Sequence, residues 1–374
     1  MGDADAWHGV TDLARRLVRI DTRGGREAPA AALVADRLDG AGFEVRVEEP
    51  VPGRANVVAR FGPVVPRVPV TFTGHLDTVP ADPSGWSFDP MSGELRDGRL
   101  LGRGSSDMKA GVACQVEAAI RAARENPRDT AVQLIFTFGE ETGCEGAEEI
   151  AAASLTPTDL LIVAEPTGNR TVLGHKGVLW LAATARGVSA HGSRPELGRN
   201  AIAALAAAAV RLHGHEDWPV SPTHGPATVN IGTFHAGEQP NLVPDRAEMR
   251  LDVRTVPGFG RDEAVAEISR LCGDGISLER LLDLPGVATD PSAAAEAREI
   301  LAPGSSARPA EYATYFTDAS VLTGRLGDPA VVVYGPGDPD QAHVTDESCS
   351  LAAMTESAEA MHRLLRRLGR YRVA

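Results

Sequence analysis

The segment Val132-Gln-Leu-Ile-Phe-Thr-Phe-Gly139 runs directly into two carboxylates, Glu140 and Glu141. Its length and its apolar composition indicate a buried strand, with the two acidic residues at the carboxyl end. Adjacent carboxylates at such a place are costly unless cations neutralise them. This stretch therefore predicts a strand of an α/β sheet with a cation site at its end.

Other predicted strands also lead into residues that can bind metal ions. They are His75 and Asp77 after residues 68–73, Glu165 after residues 160–164, and His343 after residues 330–334 and a Gly-Pro-Gly loop. In open α/β sheets, sites form beyond the carboxyl ends of the strands. With Asp107, which precedes a predicted helix, three carboxylates and two imidazoles suffice to hold two divalent ions. Glu140 is then left over as a base, which predicts metal-assisted hydrolysis.

Each of these residues also has a simpler interpretation when it is considered alone. His75 suits a solvated loop, Asp107 suits the N-cap of the next helix, and the Glu140-Glu141 pair suits a solvated turn. Four matched residue types at four strand ends favour the metal site. Asp77 lies two residues after His75, so in an extended segment it can accept the second N–H of that imidazole.

Predicted strands and helices alternate in the first part of the chain. The strands are residues 43–48, 56–61, 68–73, 132–138 and 159–164, and the helices are residues 12–19, 28–41, 109–124 and 146–153. Such alternation, with apolar strands, implies a mostly parallel sheet covered by helices. The pattern returns after residue 285, with helices over 291–301, 319–326 and 350–368 and a strand over 330–334.

A different pattern lies between these two parts. Strands are predicted over residues 178–186, 228–234, 248–254 and 276–282, and helices over 200–213 and 261–272. The order β-α-β-β-α-β is that of a ferredoxin-like module. We therefore predict an α/β domain of residues 1–173 and 286–374, into which an α+β domain of residues 174–285 is inserted.

The composition restricts the classes of partner. A chain of 374 residues is long enough for two domains, and its 43% hydrophobic and 24% charged residues are those of a soluble globular protein. The formal net charge of −14 argues against nucleic acid or an anionic membrane as a partner. We expect a small molecule to be the partner instead.

Cysteine usage and the amino terminus bear on location. The four cysteines form no CxxC pair, which is typical of reduced thiols in a cytoplasm. The first residues show no signal peptide pattern, and no apolar run reaches the roughly 18 residues of a membrane span. We therefore expect a cytoplasmic protein. Cys144 follows Glu141 by three residues, and either a buried thiol or a role near the site fits it.

Signatures of several other enzyme classes are missing from the sequence. It contains no GxSxG, no GxxxxGK[ST] and no HExxH, and Gly102-Arg-Gly104 lacks the third glycine of a dinucleotide-binding loop. Interpretations as a serine hydrolase, a nucleotide-binding protein or a single-zinc protease therefore have no support.

The chain resembles the co-catalytic zinc family that includes acetylornithine deacetylase, succinyl-diaminopimelate desuccinylase, aminoacylases and glutamate carboxypeptidase. The resemblance covers about residues 8–370. The matching segments are Thr73-Gly-His-Leu-Asp77, Gly102-Arg-Gly-Ser-Ser-Asp107-Met-Lys-Ala-Gly111, Gly139-Glu-Glu-Thr-Gly143, Ala164-Glu-Pro166 and Ala342-His343. Together these segments are highly specific, although none is decisive alone.

The resemblance implies two Zn²⁺ per subunit, with Co²⁺ or Mn²⁺ as substitutes. Asp107 would bridge the ions, while His75 and Glu165 complete one shell and Glu141 and His343 complete the other. Asp77 would orient His75, and Glu140 would be the general acid/base that acts on water held between the ions. The family also has a cis peptide bond after the bridging aspartate, which we expect at Asp107–Met108.

The resemblance extends to the inserted domain, which would act as a lid and dimerisation domain in a homodimer. His191, in Gly187-Val-Ser-Ala-His-Gly-Ser-Arg-Pro195, matches a histidine that enters the partner's site and binds the oxyanion. Asn241 and Arg254 match residues that hold the substrate carboxylate, and the bidentate fork of arginine suits that task. For Asp318 two interpretations stay open: it contacts a substrate amine, or it caps the helix over 319–326.

We predict a zinc amidohydrolase that removes the acyl group of an N-acyl amino acid. The second interpretation is a metallo-exopeptidase, a carboxypeptidase or dipeptidase with the same site, whose substrate is a short peptide. A third, from another class, is a non-catalytic binding protein on this scaffold. A missing ligand or an altered Glu140 would have indicated the third, and neither is found.

Overall fold

The computed structural model describes residues 7–370, which form two compact units. The first unit comprises the described residues up to Gly174, Ala288–Glu311 and the described residues from Thr317 onward. The second comprises His175–Val287 and Tyr312–Phe316. The sequence prediction assigns 312–316 to the larger domain. These residues join the second unit because the Tyr312 ring lies 4.4 Å from that of His224 and the Lys176 N–H donates to the Ala313 carbonyl.

The strands are numbered in chain order. They are β1 (Glu44–Val51), β2 (Arg54–Phe61), β3 (Val68–His75), β4 (Glu94–Arg96), β5 (Arg99–Leu101), β6 (Val132–Thr137), β7 (Thr158–Val163), β8 (Val172–His175), β9 (Gly177–Arg186), β10 (Val220–Ser221), β11 (Gly225–Pro226), β12 (Thr228–Ala236), β13 (Arg246–Thr255), β14 (Ile276–Leu284), β15 (Val287–Ala288), β16 (Glu311–Ala313), β17 (Ala330–Val333) and β18 (Ser348–Ser350).

The helices follow the same numbering. They are α1 (His8–Val18), α2 (Ala28–Asp39), α3 (Lys109–Glu125), α4 (Glu145–Glu149), α5 (Ala201–His213), α6 (Arg261–Cys272), α7 (Ala295–Leu301), α8 (Ala319–Arg325) and α9 (Leu351–Arg367). Short 3₁₀ turns lie at Pro83–Gly85, Ala152–Ser154, Pro195–Leu197 and Pro339–Gln341. No helix of the described residues has both the length and the apolar character that crossing a membrane requires.

The main sheet of the first unit has a parallel centre. Its strand order is β1-β2-β6-β3-β7-β17-β8-β15, with β16 paired to β8. Strands β6, β3, β7 and β17 run parallel, whereas β1, β2 and β8 pair antiparallel at the flanks. Helix α3 packs against β3 and also against α1 and α9. The predicted mixed, mostly parallel sheet flanked by helices is thus confirmed, and the four parallel strands end at one edge.

The second unit is an antiparallel sheet covered by two helices. Its strand order is β12-β13-β9-β14, and α5 and α6 pack against it. Buried residues alternate with exposed ones along β13, because one face of the sheet lies on the helices and the other is open. The Asn200 side chain accepts the Ala203 N–H at 3.1 Å and caps α5. This arrangement confirms the predicted ferredoxin-like α+β domain.

Some elements differ from their predictions. The predicted helix over 291–301 begins only at Ala295. Asp290 accepts hydrogen bonds from the Ser292 N–H and hydroxyl, and this local turn competes with a helical start. Strand β8 was not predicted, since its four residues have too little pattern of their own and are held by β17.

Candidate metal centre

The parallel strands bring most of the predicted site residues to one edge of the sheet. Because β6, β3, β7 and β17 are neighbours, their carboxyl ends lie side by side. His75 is the last residue of β3, Glu140 and Glu165 follow closely after β6 and β7, and His343 lies in the longer loop after β17. This is the place where open α/β sheets form their sites.

Asp107 lies between two histidines. Its Oδ1 is 3.1 Å from Nε2 of His75, and its Oδ2 is 3.3 Å from Nε2 of His343. Helix α3 has Met108 at its N-cap position with no side-chain cap, so the simple N-cap interpretation of Asp107 is wrong. The peptide bond between Asp107 and Met108 is cis, as the resemblance implies. With one oxygen toward each imidazole, the carboxylate has the geometry of a bridge.

Glu141 and Glu165 complete the two sides of this arrangement. Oε2 of Glu141 is 2.9 Å from Nε2 of His343, and Oε1 of Glu165 is 3.8 Å from Nε2 of His75. Two groups of residues could each hold a metal ion, because the ligand atoms within a group lie within 4.8 Å of one another. One group is His75, Asp107 and Glu141, and the other is His75, Glu140 and Glu165. Imidazole nitrogens and carboxylate oxygens are donors that suit zinc and similar divalent ions. The residues present therefore fit divalent metal ions, and the placement of Asp107 between two histidines suits a pair of them.

Asp77 connects His75 to the Glu140-Glu141 turn. Its two carboxylate oxygens accept the backbone N–H groups of Glu140 and Glu141, at 3.2 and 3.1 Å. Nδ1 of His75 lies 3.1 Å from the Asp77 carbonyl oxygen and 3.5 Å from its carboxylate. In the neutral imidazole, a proton on Nδ1 would leave on Nε2 the lone pair that a metal ligand needs.

The carboxylates of the site raise the pKa values of its two histidines. Burial opposes protonation of His75, but the carboxylates of Glu165, Asp107 and Asp77 raise its pKa well above the ordinary value. Hydrogen bonds to Asp107 and Glu141 raise the pKa of His343 to about 10. Without metal ions, protonated imidazoles thus neutralise part of the carboxylate charge. Metal binding would have to displace these protons.

Glu140 is buried beside the proposed ligands. Burial, followed by the charge of Glu165, raises its pKa well above the usual range. Gly139 precedes it with φ +70°, and a Cβ there would come within 2.6 Å of Nη2 of Arg54. Glycine therefore permits the turn that brings Glu140 and Glu141 to the sheet edge. A carboxyl with raised proton affinity suits a group that both takes and returns a proton.

Asp318 does not cap α8, although it stands at the N-cap position. Its side chain is only 2% exposed and accepts a hydrogen bond from the Thr137 hydroxyl, and its other oxygen has no partner among the described residues. Burial raises the pKa of Asp318 to about 6 and that of the Cys144 thiol above its ordinary value. The capping interpretation is thus wrong, and Cys144 is a buried thiol that neighbours Asp318.

His191 and Asn241 lie together in the second unit. His191 forms an isolated β-bridge with Leu242, and the Gly192 N–H donates to the Asn241 carbonyl at 2.7 Å. Nδ1 of His191 accepts the Ser193 N–H at 3.1 Å. An imidazole nitrogen that accepts cannot carry the proton of the neutral ring, so Nε2–H of this exposed histidine is the donor.

Arg254 is held by its own strand and by a loop. Its Nε and Nη2 donate to the two carboxylate oxygens of Asp252 at 2.7 and 3.0 Å. The indole N–H of Trp180 donates to Asp252 at 3.0 Å, and the Phe316 ring lies 5.6 Å from the guanidinium carbon. Asp252 therefore occupies the side-on fork of Arg254, and no described residue accepts a hydrogen bond from the end-on pair of N–H groups.

Sequence reasoning missed a buried ion pair beside the centre. Nη1 of Arg103 donates to Oε2 of Glu347 at 2.7 Å, and the side chain of Glu347 is fully buried. A glutamate in a polar loop is usually exposed to solvent, so the residue type of Glu347 did not indicate that its side chain is buried. Its spacing of four residues from His343 was the only available indication.

Comparison with known proteins places the chain in a family. The profile of Peptidase family M20/M25/M40 matches residues 71–367. A probable carboxypeptidase of Aspergillus clavatus is 32% identical over 378 residues, which cover 94% of this chain and 80% of that protein. Acetylornithine deacetylase of Proteus mirabilis is 30% identical over 352 residues, which cover 89% of this chain and 88% of that one.

Solved structures show the same fold. Aminopeptidase PepT from Bacillus cereus has a TM-score of 0.76 at 23% identity, over 97% of this chain and 98% of that chain. A Bacillus subtilis protein described as a dinuclear metal binding peptidase from the M20 family has a TM-score of 0.69 at 17% identity, over 98% and 99%.

The family profile and these relatives together define the chain as a metal-dependent amidohydrolase. More particularly, it belongs to Peptidase family M20/M25/M40. The predicted resemblance is confirmed at the level of the family.

Proposed function

We propose that this enzyme hydrolyses the amide bond of an N-acyl amino acid at a centre of two zinc ions. The observation that carries the proposal is the carboxylate of Asp107, which turns one oxygen toward His75 and the other toward His343. A carboxylate so placed can serve two ions at once. The relative named acetylornithine deacetylase supports this type of substrate.

The ligands of the two ions divide between the two sides of Asp107. His75 and Glu165 would hold one ion, and His343 and Glu141 the other, while Co²⁺ or Mn²⁺ could replace zinc. Divalent ions at this place would polarise the scissile carbonyl and make water more acidic. The raised pKa values of His75 and His343 mean that their protons leave when metal binds.

The remaining steps fall to side chains of the protein. Glu140 takes a proton from the attacking water as its oxygen forms a bond to the amide carbon. It then gives that proton to the leaving nitrogen as the carbon–nitrogen bond breaks. Nε2–H of His191, supplied by a second subunit of a homodimer, donates to the oxyanion that forms between these events. The products are an amine and a carboxylic acid, which becomes a carboxylate by releasing its proton to the solvent or to the amine.

The second unit would recognise the carboxylate of the amino acid. Asp252 accepts two of the five N–H groups of Arg254, and the end-on pair among the other three forms a fork that matches a carboxylate. Asn241 would provide a further hydrogen bond. A substrate amine near Asp318 is a weaker proposal, because Asp318 is buried and bonds Thr137.

A metallo-exopeptidase is the second candidate. The relative named as a probable carboxypeptidase supports it, and a C-terminal carboxylate would suit Arg254 equally well. The same catalytic groups would cut a short peptide. We also propose that the protein is cytoplasmic, which agrees with four buried and free cysteines.

A substrate panel on zinc-loaded protein tests the proposal. The panel contains N-acetyl-ornithine, N-succinyl-diaminopimelate, other N-acyl amino acids, and dipeptides. We expect kcat/KM to be greatest for an N-acyl amino acid. A greater kcat/KM for a peptide would establish the exopeptidase instead. Zinc-loaded protein that hydrolyses none of them would overturn both and favour a binding protein.

A further inference from the structure

Glu347 is a buried carboxylate that receives four hydrogen bonds from one loop. Its Oε1 accepts the backbone N–H groups of Ser106 and Asp107, at 2.7 and 3.0 Å. Its Oε2 accepts the Gly104 N–H at 3.0 Å and Nη1 of Arg103 at 2.7 Å. All four donors belong to the segment 103–107, which ends at the carboxylate between the two histidines.

These bonds define the conformation of the segment. Backbone N–H groups that converge on one point form an anion-binding nest, and here the anion is a side chain of the protein itself. Because this carboxylate is buried, water cannot take its place as the hydrogen-bond acceptor of these N–H groups. An amide in place of this carboxylate would turn N–H donors toward N–H donors, so the geometry requires hydrogen-bond acceptors at both oxygen positions.

The other end of Glu347 is tied to the loop that carries His343. Glu347 follows His343 by four residues, and its own carbonyl accepts the Gly102 N–H at 3.0 Å. Directly after it, β18 pairs with β5, so that Ser348 lies opposite Leu101. The Ser106 hydroxyl adds a bond of 3.1 Å to the Asp338 carbonyl. The two loops are therefore joined on both sides of the Glu347 side chain.

We propose that Glu347 is a positioning residue for the metal pair, which sets Asp107 and His343 at the spacing that two ions require. It is not among the proposed ligands of the ions. It bonds the backbone N–H of Asp107 and, through its short chain connection, restrains the loop of His343. This inference rests on the proposed metal site. Groups that orient ligands in this way typically contribute 10–100-fold to metal affinity.

Glu347→Gln is the variant that tests the proposal. The amide keeps the size of the side chain but presents an NH₂ group to N–H donors. We would measure zinc affinity by competition with a chromophoric chelator, which requires no substrate. The expected result is a loss of roughly 10–100-fold for at least one ion. Glu347→Asp keeps the charge and should recover part of the lost affinity.

A matched control separates positioning from a general loss of stability. Glu117 is also a buried glutamate, and it accepts two hydrogen bonds from Arg37, at 2.6 and 2.8 Å. It lies on α3 and binds a side chain of α2, not a loop of the metal centre. Glu117→Gln should lower the melting temperature while zinc affinity stays as in the unaltered protein.

Each outcome decides the question. Zinc affinity that is unchanged within twofold in folded Glu347→Gln would overturn the proposal, as would an equal loss in Glu117→Gln. If Glu347→Gln does not fold, the test uses Glu347→Asp, because its shorter side chain must also displace the loop. Zinc affinity unchanged within twofold in that variant would then overturn the proposal. An unaltered protein that binds fewer than two zinc ions would overturn the proposed metal centre instead. The two failures are thus distinguishable.

Discussion

The carboxylate of Asp252 holds the guanidinium of Arg254 by two hydrogen bonds, of 2.7 and 3.0 Å. The two residues are separated by one position on β13, so they lie on the same face of the strand. Trp180 of the neighbouring strand bonds Asp252 in turn. Arg254 is thus oriented before any ligand arrives, which lowers the entropy cost of binding a carboxylate.

The first prediction concerns Arg254→Ala. We expect kcat/KM for an N-acyl amino acid to fall roughly 10²-fold, in keeping with a charge-assisted bidentate pair. The same substrate with its carboxylate converted to an amide should be affected little. Arg250→Ala is the control, because Arg250 lies on the same face of β13 and is exposed. An equal loss for the acid and the amide would show that Arg254 does not read the carboxylate.

The second prediction concerns Asp107→Ala. We expect the variant to lose both metal ions, because the substitution removes the ligand that they share. Elemental analysis after gel filtration gives the metal content per chain. Asp39→Ala, at the exposed end of α2, serves as the control and should keep both ions. Two ions per chain in Asp107→Ala would exclude a bridging role.

The third prediction concerns Glu140→Gln. The amide keeps the shape of the side chain but cannot take a proton, so turnover should fall roughly 10²–10⁴-fold. Zinc content should stay at its original value, since Glu140 is proposed as the base and not as a ligand. Glu149→Gln, in the exposed end of α4, should change neither quantity. Substantial remaining activity would remove Glu140 from the mechanism.

The fourth prediction concerns His191 and the proposed homodimer. His191→Ala should reduce turnover roughly 10²–10³-fold, the usual effect of losing one oxyanion donor. Zinc content and folding should be unaffected, and His235→Ala, on exposed strand β12, should be silent.

Mixed dimers of His191→Ala and Glu140→Gln subunits show where His191 acts. If it enters the site of its partner, one site of each mixed dimer combines an intact Glu140 with an intact His191. Part of the activity should then return. No return, after subunit exchange has been verified, would mean that His191 acts within its own chain or not at all.

The fifth prediction concerns the pH dependence of folding through His175. Burial lowers the pKa of this imidazole to about 4, whereas its ordinary value is 6.5. Between these values the unfolded chain binds a proton that the folded chain refuses, so stability falls as pH decreases from 6.5 to 4.

His175→Asn isolates this effect. Asn can keep the hydrogen bond to the Lys176 carbonyl but does not titrate. The loss of unfolding free energy over this pH range should be smaller in the variant, by on the order of 2–3 kcal/mol. Urea denaturation at several pH values measures it. His8→Asn, at an exposed site, is the control and should behave like the unaltered protein. The same pH dependence in His175→Asn as in the unaltered protein would contradict the prediction.

Local patterns in the sequence carried much of the architecture. The apolar run 132–139 contains the buried strand β6. The dipeptide Asp97-Gly98, a type that favours hairpin turns, joins β4 to β5 with φ values of 50° and 73°. The segments before His75 and Glu165 are likewise strands of the parallel centre. Such predictions succeed because strand propensity, turn chemistry and hydrophobic burial are encoded within a few neighbouring residues.

Tertiary structure alone decided which distant groups meet. Asp318 bonds Thr137 across 181 positions, and Glu347 bonds Ser106 across 241. Neither contact can be predicted from neighbouring residues, because the sequence does not distinguish a buried carboxylate from a solvated one. Burial turns such a residue from a surface charge into an obligatory hydrogen-bond acceptor. The sequence by itself determined the strands and the types of candidate ligand residue, whereas the packing of the chain determined which carboxylates are buried and which loops they join.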